Sequence, residues 1–144
     1  MTVNRKFGFI LGAILLVFTF RVVGQFVQWI GPVSFLPNFS EWQSGVIPYG
    51  VLLSFQIVIV IVLTYIVVLL VRNRHQPQRR RGIILISIGA CYCCVMLFRL
   101  IASLTFAEEG SWLDKTLPSF FHVVLSCFLL LYGCFNLWYH SAGE

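Results

Sequence analysis

Two arginines stand where an arginine is costly. Arg21 and Arg99 each fall inside a long apolar stretch, and a guanidinium that keeps its charge at such depth is usually retained for pairing or for binding. Gln25 and Gln28 follow Arg21 at i+4 and i+7, so the three lie on one face of a helix. Tyr92 shares a face with Arg99, with Ala102 and Ser103 beside it, and two further apolar stretches contribute Gln56 and His122. No Asp or Glu occurs inside any of these four stretches. Cations without an acid in their own segments suit an anion: a lipid phosphate, a ligand carboxylate, an acid on another subunit, or Glu41, Glu108, Glu109 or Asp114 brought down from the loops. The candidate site is therefore a polar cluster of Arg21, Gln25, Gln56, Arg99 and His122, with Tyr49 at its margin. The competing role is structural. Arg side chains snorkel towards an interface, and Gln and His hold membrane helices together at roughly 0.6–2 kcal/mol per hydrogen bond.

Other chemistries find less support. Cys91, Cys93, Cys94, Cys127 and Cys134 fall at middle or inner levels of two segments, where a thiol resists ionisation and acts as a small packing residue. His122 is the one histidine well inside an apolar segment, because His75 sits in an Arg-rich loop and His140 near the end; one chain thus lacks a second haem ligand at the same level. No nucleophile–base–acid set, phosphate loop or metal-ligand spacing occurs. The expectation is no catalytic residue, no metal and no resident cofactor.

The elements that must position this cluster follow from hydropathy. With 59% hydrophobic residues, 10% charged residues and a mean hydropathy of +0.91 over 144 residues, the chain needs lipid as its solvent. Apolar segments run at about 7–30, 47–71, 83–106 and 118–139. Each crosses a hydrocarbon core of roughly 30 Å as a helix, and each is too long for a barrel strand. The fold class is all-α: a polytopic membrane protein with four transmembrane helices in an antiparallel bundle, read as a single domain over 1–144. Arg5, Lys6, Arg72, Arg74, Arg79, Arg80 and Arg81 lie in the first tail and the second loop, against Lys115 alone in the other two loops. The positive-inside rule then places both termini and the Arg loop in the cytoplasm. The net charge of +5 is explained by topology, with no nucleic-acid partner.

Finer features fit this layout. Trp29, Trp42, Tyr49 and Trp112 fall near the outer boundary and Trp138 and Tyr139 near the inner one, as interfacial anchors. Ser40 or Ser44 is a candidate cap for the second helix, which Pro48 also suits. His122, Ser126, Gly133, Asn136 and His140 form a small-and-polar stripe that marks the inward face of the fourth helix. Gly8 and Gly12 mark a close helix contact on the first. At 1.5 Å per residue, Arg21, Gln56, Arg99 and His122 all fall about 6–14 Å inside the outer boundary.

The expected function is a non-enzymatic binding or assembly subunit whose outward-facing polar pocket holds an anionic lipid or an acidic partner group. Its expected partners are membrane lipids and other membrane subunits or itself. The alternative is a redox subunit in which Arg21, Arg99, His122 and Gln56 bind a quinone or one face of a haem. A small transporter, which would need to oligomerise, is a third reading.

Overall fold

The computed structural model describes residues 2–43, 45–106 and 115–139; Ser44, Glu108, Glu109, Trp112, Asp114 and His140 lie outside the described residues. The chain is all-α, with no strand among the described residues, which form four α-helices, α1 (Val3–Ile30), α2 (Tyr49–Val71), α3 (Arg79–Thr105) and α4 (Thr116–Trp138), and one 3-10 turn, Phe39–Glu41. Each is long and apolar enough to cross a membrane, the pattern of a multi-pass membrane protein. Their outer surfaces carry the apolar side chains that lipid requires, among them Leu16, Phe20, Ile61, Phe98 and Leu104, all exposed.

Two helices begin a turn earlier than hydropathy suggests. Arg5 and Lys6 are inside α1, and Arg79 to Arg81 open α3. Arg and Lys are good helix formers, so the backbone continues beyond the apolar segment until another signal stops it. Pro48 precedes α2 in the cap position with φ −54°, and among the described residues no side chain caps that helix, so Ser40 does not serve there.

The packing is uneven. α1 and α4 bury far more of their length than α2 and α3 do. The buried residues of α2 are Tyr49, Gln56, Leu63 and Leu70, one every seven residues, which gives a single narrow seam. That seam faces α1: a Cβ at Gly8 would lie 2.8 Å from Val71 Cγ2, and one at Gly12 3.5 Å from Val67 Cγ1. Gly82 and Gly89, also seven apart, face α4. A Cβ at Gly82 would come 2.7 Å from the Leu137 amide nitrogen, and one at Gly133 would come 3.0 Å from the Ile86 nitrogen, so these backbones meet where no side chain fits. α1 also packs on α4, with Phe7 against Phe135 and Tyr139. Leu11, Leu15, Leu63, Leu70, Phe128, Tyr132 and Phe135 form the shared core. The lateral order is thus α2, α1, α4, α3, and among the described residues α2 and α3 do not pack against each other. The bundle is open along that side.

The end that carries the Arg loop is tied down by His75. Although it stands among arginines in sequence, His75 is buried between the rings of Tyr132 and Phe135. Its Nε2 lies 3.2 Å from Asn136 Oδ1, and the Gln78 amide donates to the same oxygen at 3.3 Å. A backbone N–H can only donate, which fixes that atom as the oxygen and Nε2 as the protonated nitrogen of His75. Asn136 Nδ2 donates to the Tyr132 carbonyl at 2.8 Å, and Asn4 Nδ2 donates to the His75 carbonyl at 3.3 Å. One buried residue therefore connects the start of α1, the loop and α4. Burial lowers the His75 pKa below its ordinary value; Arg81 adds to this, and the Asn136 bond opposes it.

Candidate functional site

The buried face of α1 changes character along its length. Gly8, Leu11, Leu15 and Phe18 are followed on the same side by Arg21, Gly24, Gln25 and Gln28, so the seam turns from apolar to polar near the end that joins the first loop. Arg21 is 4% exposed. Its Nη2 donates to the Trp42 carbonyl at 3.0 Å, and its guanidinium carbon stands 5.5 Å from the Phe121 ring centroid. Its Nε is buried with no hydrogen-bond partner. A guanidinium carries five N–H donors, and the one acceptor that Arg21 meets among the described residues is a neutral carbonyl.

The loop that supplies this carbonyl is packed into the helices. Trp42 is 2% exposed, stacks on Phe121 with centroids 6.4 Å apart, and donates from Nε1 to the Pro37 carbonyl at 2.9 Å. Gly24 makes room for it: a Cβ there would lie 3.0 Å from the indole edge. Gln28 Oε1 accepts from the Val33 amide at 2.9 Å and fixes the start of the loop. Trp42 is therefore a plug, in contrast to the interfacial anchor that its position along the chain suggests. Trp29 and Trp138 are exposed, as anchors are.

Arg21 and Phe121, which hold Trp42 on one side, line a chamber of about 230 Å³. One water needs roughly 10–15 Å³ by the same kind of measure, so a small polar group fits. Arg21 and Phe18 line it from α1, Gln56, Phe55 and Leu52 from α2, Tyr92 from α3, and His122, Phe121 and Leu125 from α4. The structure thus brings Arg21, Gln56 and His122 of the expected cluster to one cavity. Gln25 joins indirectly, as its Oε1 accepts from Gln56 Nε2 at 3.2 Å. Gln25 Nε2 and Gln56 Oε1 remain buried without partners. Tyr49 packs on Trp29 and Phe39 with its hydroxyl buried and unpartnered, and Arg99 is buried; neither is among the residues lining the chamber.

Tyr92 is the residue that the cluster lacked. Its hydroxyl lies 2.5 Å from His122 Nδ1, with the two rings at 80°. A neutral Tyr–His pair holds one O–H and one N–H, and their mutual bond uses one of them. Whichever tautomer His122 adopts, the pair keeps one further donor. With Arg21 and the second N–H of Gln56 Nε2, whose first donates to Gln25, the chamber wall offers donors from three helices to an oxygen-rich group. The shared face of Tyr92 and Arg99 was a sequence signal for Tyr92. Gly24, on the polar face of α1, was the corresponding signal that a bulky ring packs beside Arg21.

Set beside known proteins, the chain matches no family model, no curated protein and no solved structure.

Proposed function

We propose that this chain is a non-enzymatic membrane subunit, an antiparallel four-helix bundle with both ends in the cytoplasm, whose chamber holds the anionic head of a lipid or an acidic group of a partner. The observation that carries this reading is Arg21, a buried guanidinium lining a cavity with a neutral carbonyl as its acceptor. An uncompensated buried charge is costly, and an anion in the chamber would relieve that cost through charge-assisted hydrogen bonds. Gln56 and the remaining donor of the Tyr92–His122 pair would complete the shell.

A second reading has one observation in its favour. The Tyr92–His122 pair lies in the wall of a largely apolar cavity, a setting that suits the carbonyl oxygen of a quinone as well as an anion. The absorption spectrum and lipid content of the detergent-purified protein separate the two. A colourless preparation that retains an anionic phospholipid, and loses it on Arg21→Gln, supports the binding subunit. A quinone or haem band that vanishes on His122→Gln in a well-folded protein supports the redox reading and overturns the first.

A further inference from the structure

We infer that the chamber receives its ligand from the bilayer, through the gap between α2 and α3, and that this ligand is a membrane-borne anionic amphiphile with its head at Arg21 and one acyl chain along α3. The inference rests on the proposal that the chamber binds an anion, and it adds the class of ligand and the route.

The route follows from what is closed and what is open. Above the chamber, Trp42 is buried against Phe121 and Gly24, and its own carbonyl is held by Arg21. On that side the chamber wall is made by Phe121 and by Ile47 of the first loop, apolar residues that offer an anion arriving from water no hydrogen bond. At the side, the seams of α2 and α3 are both turned away from each other, one onto α1 and the other onto α4. No helix closes the gap between them among the described residues.

The class follows from what adjoins the chamber. Tyr92 belongs to two surfaces at once: it lines the chamber and also a shallow, open apolar strip of α3, a groove against the lipid that Ser87, Ile88, Cys91 and Val95 complete. Ile88 and Val95 are exposed and seven residues apart, on one helical face. A cavity with a guanidinium and hydrogen-bonding groups in its wall, sharing Tyr92 with an apolar face of α3, matches a molecule with a charged head and a hydrocarbon chain. A soluble anion would leave the groove unused, and a neutral lipid would leave Arg21 uncompensated.

The test uses the full chain in phosphatidylcholine nanodiscs containing a small fraction of phosphatidylglycerol with a diazirine in one acyl chain. After photolysis, labelled peptides are mapped by mass spectrometry, and retained lipid is measured separately. The expected result is labelling concentrated on α3 between Ile88 and Val95. Excess unlabelled phosphatidylglycerol should compete with it, while glycerol 3-phosphate should not. Arg21→Gln should lower retained lipid about tenfold or more, the loss expected when a charged hydrogen bond is removed. Val95→Trp fills the groove from an exposed position, and Ile88→Trp is the alternative if that variant fails to fold; either should lower α3 labelling to a similar degree. If Arg21→Gln releases the lipid while labels spread over all helices and neither Trp variant matters, the acyl path is wrong and the chamber reading survives. Effective competition by glycerol 3-phosphate would overturn the lateral route. If Arg21→Gln changes nothing, the underlying chamber reading fails as well.

Discussion

Trp42→Ala separates two roles for the first loop. As an interfacial anchor, Trp42 would resemble Trp29 and Trp138, which are 57% and 65% exposed and whose loss should cost within about 0.5 kcal/mol, as at most surface positions. As a plug at 2% exposure, it fills the space between Gly24 and Phe121. Truncation of a buried aromatic side chain costs about 3–5 kcal/mol. The lower end, about 3 kcal/mol, is expected here because a released indole stays in the headgroup region, where it is comfortable, and does not pass into bulk water. Trp42→Phe keeps the ring against Phe121 but loses the 2.9 Å bond to the Pro37 carbonyl, for a smaller cost of about 1 kcal/mol from that bond. Unfolding in mixed detergent–SDS micelles measures all four variants. The ranking should be Trp42→Ala, then Trp42→Phe, with Trp29→Ala and Trp138→Ala near wild type. If Trp42→Ala proves as mild as the two exposed tryptophans, the loop is not packed as described and the closed roof of the chamber goes with it.

Gly82→Val should destabilise the α3–α4 contact by about 1–3 kcal/mol or more through overpacking, because its Cβ would meet the Leu137 backbone, whereas Gly31→Ala meets nothing within 4 Å and should be neutral in the same unfolding assay. His122→Gln should keep folding and lipid retention, since Gln supplies a donor and an acceptor to the Tyr92 hydroxyl; His122→Leu leaves that hydroxyl without its partner and should cost about 1–3 kcal/mol, as thermal unfolding would read. Stability should also depend on pH through His75, whose folded pKa is lowered by burial. The unfolded chain then binds a proton that the folded chain resists, so the contribution of His75 is complete above about pH 6.5 and is lost as pH falls towards the folded value. A pH series of unfolding midpoints should show this slope in wild type and a flatter one in His75→Gln; equal slopes would remove the His75 clamp from the account.

The helices were legible because lipid leaves few alternatives: runs of more than twenty apolar residues without an acid have one economical conformation. Their ends were less so, since Arg5 and Arg79 lie in helices that hydropathy alone stops short of. Arg21, Gln56 and His122 were legible as a group, because polar residues at similar depth on different helices turn away from lipid. The inward stripe of α4 is likewise seen at Ser126, Gly133 and Asn136, all buried. What the pattern could not supply was long-range pairing. Trp42 and Trp29 look alike by position along the chain, and only the contact with Gly24 makes one a plug. His75 reads as a loop residue until Asn136, sixty-one positions away, holds its ring. The open side between α2 and α3 depends on which seam each helix turns inwards. For α3 this rests on Gly82 and Gly89, whose sevenfold spacing is visible in sequence but whose partner is not.

Whether the chamber holds an anion at Arg21 is seen most plainly in a density map of the protein in native lipid. Such a map should show α2 and α3 standing apart, with an anionic head beside Arg21, within reach of Gln56 and the Tyr92–His122 pair, and a chain of density along Ile88 and Val95. A map in which α2 and α3 meet, or in which the chamber holds no anionic group at Arg21, would contradict the anion-binding reading.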